Sequence, residues 1–139
     1  MKRLLIAAVL ITAACGGPNK KATETRGWSD HYAFRVIPDV VPPRALEPIH
    51  FRVVVQDKAT GQPIETGEGR MFATSKDGAS TNDGFTKEKE VGTYSAKLFF
   101  PVTGDWAIAL QFRREKDPHI ALERIDWIQA VVDPTPPGK

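Results

Sequence analysis

Apolar and polar residues alternate along three stretches of the chain. Ile49, Phe51, Val53 and Val55 share one parity, while His50, Arg52 and Gln56 take the other. Tyr94, Ala96, Leu98 and Phe100 are opposed by Thr93, Ser95 and Lys97, and Trp106, Ile108, Leu110 and Phe112 by Ala107, Ala109, Gln111 and Arg113. A period of two predicts strands with one buried face. Tyr32, Phe34 and Val36 predict an earlier strand, residues 70–74 a short middle one and residues 125–132 the last. Residues 85–91 have β-compatible ends around alternating charge, the form of an edge strand guarded by Lys87 and Lys89 against unwanted pairing.

Turn residues fall between these segments. Asp57-Lys58-Ala59-Thr60-Gly61 closes a hairpin, Asp77-Gly78 and Asp83-Gly84 bracket a polar loop, and Thr103-Gly104-Asp105 returns the chain into Trp106. Pro42-Pro43 and Pro101 break the remaining apolar runs. A helix competes only over residues 118–130, where Ile120, Leu122, Ile125 and Ile128 stand near helical spacing. About seven short strands at this spacing predict an all-β fold, an immunoglobulin-like β-sandwich closed by the segment ending in Val131-Val132.

The first residues follow a different pattern. Lys2-Arg3 precedes the apolar run 4–11 and then Thr12-Ala13-Ala14-Cys15. Charge, a short apolar core and small residues define a secretory signal, and the eleven residues 4–14 are too few for the ~20 that span a bilayer. Ala13-Ala14-Cys15 resembles the lipobox of bacterial lipoproteins, although Thr12 stands where a large aliphatic residue is usual. The resemblance implies cleavage before Cys15, diacylation of its sulfur and attachment to the envelope membrane. With Gly16 rather than Asp following, it implies the outer membrane, facing the periplasm, in a Gram-negative host. Cys15 is the only cysteine, so acylation also removes an unpaired thiol from an oxidising compartment. Several acyl chains anchor stably where one binds reversibly.

The resulting organisation is a signal over 1–14, a lipidated cysteine and flexible tether over 15–27, a sandwich domain over 28–133 and a Pro-rich solvated tail over 134–139. A tether of about twelve polar residues reaches roughly 20 Å. Composition adds that 41% hydrophobic and 26% charged residues suit one globular domain. Removing Lys2 and Arg3 leaves 17 basic against 17 acidic residues, so no nucleic-acid partner is expected. The expected partners are the membrane, through the lipid, and an unidentified envelope protein.

Catalytic patterns are missing from the sequence: it has no G-x-S-x-G elbow, no H-E-x-x-H helix, no P-loop and no thiol beyond Cys15. The stretch 77–84 carries Ala79 and Thr81 where a calcium loop needs carboxylates. Carboxylate pairs such as Glu65 with Glu68, or Glu123 with Asp126, have no partnered histidine nearby in sequence and read as a solvated face. Neither catalysis nor a cofactor is expected.

Three motifs carry a family resemblance: Thr60-Gly61-Gln62-Pro63-Ile64 after a strand, Val91-Gly92-Thr93-Tyr94 opening the next core strand, and the stretch from Phe100-Pro101 through Gly104-Asp105-Trp106 running into another. Over residues 34–132 the chain resembles the YtkA-like and FixH-like immunoglobulin-fold domains of bacterial envelope proteins. That likeness implies an accessory role beside copper handling or oxidase assembly, with a Met and His cluster as the copper site of some members. The residues available for such a site are Met71, His50, His119 and His31. Pairing the first two strands with residue 37 opposite residue 49 places His31 and His50 roughly 17 Å apart, too far to share a metal. No metal site is therefore predicted. The preferred function is a non-catalytic interaction module, the alternative a periplasmic copper-binding or oxidase-assembly accessory. Tyr94 and Trp106 are expected to be structural, Tyr94 burying its ring while its hydroxyl reaches a backbone group and Trp106 plugging the space between sheets.

Overall fold

The alternating segments fold as strands in a computed structural model that describes residues 24–138 and contains no helix among them. The expected signal 1–14, the lipidation site Cys15 and the tether as far as residue 23 lie outside the described residues. One sheet contains β1 (Thr25–Trp28), β2 (Tyr32–Pro38), β3 (Pro48–Asp57), β7 (Thr93–Phe99) and β6 (Thr86–Lys87), in the order β1-β2-β3-β7-β6. The other contains β5 (Ser80–Gly84), β4 (Gly67–Ser75), β8 (Gly104–Arg114) and β9 (Glu123–Val131), in the order β5-β4-β8-β9. All pairings between these strands are antiparallel. With β2 taken as strand A, the sheets read A-B-E-D and C′-C-F-G, the immunoglobulin order.

The three inward sets face each other across the sheets. Phe51, Tyr94, Leu98, Phe100, Trp106, Ile108, Leu110 and Phe112 are all buried. Fully burying a side chain of this kind stabilises by about 1.5–3 kcal/mol before entropy is counted. Tyr32, Phe34, Tyr94 and Phe112 meet at edge-to-face angles with centroids 5.1–6.1 Å apart, the arrangement that ring quadrupoles favour.

Several expectations change in detail. Nine strands form among the described residues rather than about seven. The presumed end of the tether is β1, which pairs Thr25 with Val36 and Trp28 with Ala33. The presumed polar loop 77–84 contains β5, a strand with no large apolar residue. Of the edge strand expected over 85–91, only Thr86–Lys87 pairs, with Ser95 and Tyr94. The helical alternative over 118–130 gives way to β9 from Glu123 onward. Asp57 to Gly61 does reverse the chain, Gly61 N–H bonding Asp57 O at 2.8 Å, but the chain then crosses to the other sheet. The C-terminal tail is held at its start, where Thr135 N–H donates to Glu47 and Arg44 to the Asp133 carbonyl.

The β2–β3 register also differs from the expected one. Ile37 lies opposite Arg52, not residue 49, so that Phe34 meets Val55 and Val36 meets Val53. An offset of three is odd, and only this parity sets the buried face of one strand beside the buried face of the other.

The short β6 leaves much of β7 without a neighbour. Side chains of β5 fill the gap: Asp83 accepts from the Lys97 N–H at 2.8 Å and Thr81 from the Phe99 N–H at 3.2 Å. A polar edge strand thereby seals one flank of the sandwich.

Tyr94 joins the sheet to the β3–β4 crossover. Its hydroxyl donates to the Ile64 carbonyl at 2.8 Å. Gly92, with φ +62, opens this strand, where an added Cβ would lie 2.7 Å from the Pro63 side chain. Burial, and then the Glu65 carboxylate, push the Tyr94 phenol up to about 12. A raised value in the folded state gives stability that is complete below the unfolded phenol value of about 10 and is lost as pH rises toward the folded value. Tyr94→Phe is expected to cost about 1–3 kcal/mol at pH 7 by orphaning the Ile64 carbonyl, and to flatten the alkaline loss. Urea unfolding at pH 7 and pH 11 checks both; an alkaline loss as steep as wild type would refute the assignment to this phenol.

Candidate functional site

The two ends of the sandwich carry different chemistry. At the end formed by the β1–β2 turn, the β3–β4 crossover and the β8–β9 loop, charged side chains tie the two sheets together. Asp57, at the end of β3, binds Arg114, at the end of β8, at 2.6 Å, and the Tyr32 hydroxyl accepts from the Arg114 N–H at 3.1 Å. The Arg114 guanidinium, followed by the Thr60 and Ala59 N–H groups, holds the Asp57 carboxyl below its usual range.

Beside this pair, Glu123 opens β9 and receives two hydrogen bonds from His31, the backbone N–H at 2.7 Å and Nδ1 at 2.9 Å. Partial burial acts to raise the Glu123 pKa, but hydrogen bonds from Ser29 and from both groups of His31 outweigh it, and the net shift is downward. His31 is thus held by a carboxylate at one ring nitrogen, with its side chain 74% exposed. A depression of about 250 Å³ lies here, lined by His31, Tyr32, Arg114, Ile120, Ala121 and Glu123. Chemically the arrangement fixes an imidazole's orientation, as a single ligand or proton carrier requires. His31 and Glu123 are 92 residues apart, so no local motif announces them.

The sequence-derived candidates are dispersed. Met71 is fully buried in the core, paired with Leu110 across β4 and β8. His50 is exposed on β3, where its N–H donates to Asp39 at 3.1 Å and its carbonyl accepts from the Asp39 N–H. His119 is exposed in the β8–β9 loop, its N–H donating to Asp117. The corrected register sets His31 beside Lys58 and His50 beside Asp39. That is eight residues of strand, or roughly 27 Å rather than 17 Å. Among the described residues no group of three or more His, Cys, Asp or Glu is placed to hold a metal ion. Titration of the purified protein with Cu(I) and Cu(II) is expected to show no submicromolar one-to-one binding. Such binding, lost in His50→Ala or His119→Ala, would restore the copper reading.

The carboxylates expected on a solvated face have partners. Arg113 binds Glu68 and Lys87 binds Glu65. Arg124 pairs with Asp126 at 2.6 Å and lies over the Phe72 ring at 4.9 Å. A groove of about 540 Å³ on the outer face of the first sheet passes His50, Arg52, Ser95, Glu88 and Lys89.

No family model matches the chain, and no curated protein matches it either. Among solved structures, it is similar to a DUF4426 family protein from Pseudomonas aeruginosa PAO1, with a TM-score of 0.60 and 13% sequence identity. The alignment covers 79% of this chain and 95% of the other. At this identity the likeness is one of fold.

Proposed function

We propose that this chain is a lipid-anchored bacterial envelope protein, similar to the YtkA-like and FixH-like domains, whose sandwich is a non-catalytic protein-interaction module. The observation that carries the reading is the free edge of β9. Nine residues long, β9 pairs with β8 on one side and ends its sheet on the other. Its two ends are approached, the first by His31 at Glu123 and the last by the bridge from Arg44 to Val132, which leaves the middle of the strand. Ile128, the most exposed large apolar side chain of those described at 68%, stands in the middle of this strand. An open edge supplies main-chain hydrogen bonds to an added strand, and alternate side chains such as Ile128 supply selectivity.

Two experiments test the two halves. Cys15→Ser is expected to move the protein from the membrane fraction to the soluble envelope fraction; retention at wild-type level with the apolar segment uncleaved would show that this segment is itself the anchor. A photoreactive residue at Ile128 is expected to give a discrete adduct in living cells that the same residue at Thr60 does not. No adduct at Ile128, or equal adducts at both, would count against β9 as the contact.

A further inference from the structure

The end of the sandwich opposite Arg114 carries an apolar patch beside the charged β4–β5 turn with Lys76 and Asp77. Five of the exposed large apolar residues gather there: Val40, Val41 and Leu46 in the 39–47 loop, Phe99 at the end of β7 and Val102 in the 100–103 loop. The loops are joined, since Leu46 N–H donates to the Phe100 carbonyl at 2.8 Å. They are also joined to β9, through Ala45 N–H to Val132 O at 2.9 Å and Val132 N–H to Pro43 O at 3.0 Å. Leu46 has φ +62, a conformation unfavourable for a leucine that persists only where surrounding bonds over-determine it. Its side chain is nonetheless 58% exposed. The backbone is therefore fixed in a strained form that turns an apolar group outward. The carboxylates of the 39–47 loop are engaged elsewhere, Asp39 by the His50 N–H and Glu47 by the Thr135 N–H.

The direction of the N-terminus gives this end an occupant. Thr25, the first residue of β1, lies opposite Val36, two residues before β2 ends and the 39–47 loop begins. The start of β1 thus points toward the apolar end. Between Cys15 and Glu24 there are eight residues, 16–23, with a root-mean-square reach of only ~16 Å if flexible. β1 has shortened the tether, and a lipid on Cys15 holds the domain with this end toward the bilayer. An apolar tip that is too small to bind a membrane by itself binds intramolecularly once tethered, at high effective concentration.

We propose that Val40, Val41, Leu46 and Val102 dock into the surface of the phospholipid membrane that carries the lipid anchor, standing the sandwich upright with the Arg114 and His31 end farthest from it. The proposal rests on the lipid-anchor reading for its tether, and the experiment separates the two. Since Cys15 is the only cysteine and is consumed by acylation, Val41→Cys, Leu46→Cys and Val102→Cys each add a single labelling site. Ala59→Cys, in the exposed turn at the other end, is the control. The acylated variants carry an environment-sensitive dye in phosphatidylglycerol/phosphatidylethanolamine vesicles. In a second arm a hexahistidine tag replaces the lipidated Cys15, and vesicles contain a nickel-chelating lipid.

Blue-shifted emission quenched by nitroxide-labelled lipid is expected at positions 41, 46 and 102 in both arms, and neither effect at position 59. Labels at 41 and 46 that behave like the label at 59 in the nickel arm would overturn the docking. A blue shift that grows with protein density and resists lipid quenching would overturn it in favour of a second copy covering the patch. If Cys15 proves unacylated by mass, the anchor reading fails, while the nickel arm still decides the docking.

Discussion

Trp106→Ala is expected to destabilise the domain by about 3–5 kcal/mol, the range for truncating a large aromatic residue in a core. Trp106 is the largest fully buried side chain among those described. Its ring meets Phe100 edge-to-face with centroids 5.1 Å apart, and its indole N–H donates to the Val102 carbonyl at 3.0 Å. The substitution therefore leaves a cavity between the sheets, strips Phe100 of a partner and frees the 100–103 loop from β8. Five to fifteen kcal/mol is the usual stability of a whole domain, so the variant should approach the edge of folding at 37 °C. Denaturant unfolding of wild type and variant measures the difference. A loss below about 1 kcal/mol would mean that the loop collapses into the space and that Trp106 does not wedge the sheets.

Gly69→Ala is expected to rank next, for the opposite reason. A Cβ there would lie 2.2 Å from the Gln111 carbonyl oxygen and 2.7 Å from the Phe85 ring. Neither can move freely, because Gln111 sits in β8 within the β4–β8 ladder and Phe85 packs on the aromatic cluster, 5.9 Å from Tyr94. Overpacking of this kind costs about 1–3 kcal/mol, and more where backbone must shift. Gly84→Ala, in the adjoining strand β5 and with nothing near its added Cβ, is the comparison and should be neutral or stabilise by under about 1 kcal/mol, because glycine is the poorer strand residue. Equal effects would show that the Cβ at position 69 finds space after all. Together these two experiments probe the core from both directions, one by removing volume and one by adding it.

The buried strands were readable because a strand with one dry face must alternate. β3, β7 and β8 announce themselves in this way, and Trp106 and Tyr94 take the buried places that their pattern assigns. β5 could not be read so, since Ser-Thr-Asn-Asp-Gly has no apolar side chain to set a period. It is a strand because its backbone pairs β4 and its side chains seal β7, both decided by distant residues. β1 was hidden by its four-residue length and its glycine. The register of β2 was within reach of the sequence: setting residue 37 opposite residue 49 places an outward position against an inward one, and only an odd correction restores parity. The polar end was not within reach. His31 with Glu123, and Asp57 with Arg114, come from strands far apart in sequence, so neither shows the short spacing that a motif search needs.

Thr81 and Asp83 close one flank of the sandwich by occupying donors that β6 is too short to reach. Strand addition is left to the other flank, where β9 and β1 end their sheets. With one flank sealed by side chains, a copy that docks on the open flank finds no equivalent edge opposite it, so strand addition cannot run through the molecule from side to side and the native fold blocks head-to-tail growth of a β-fibre.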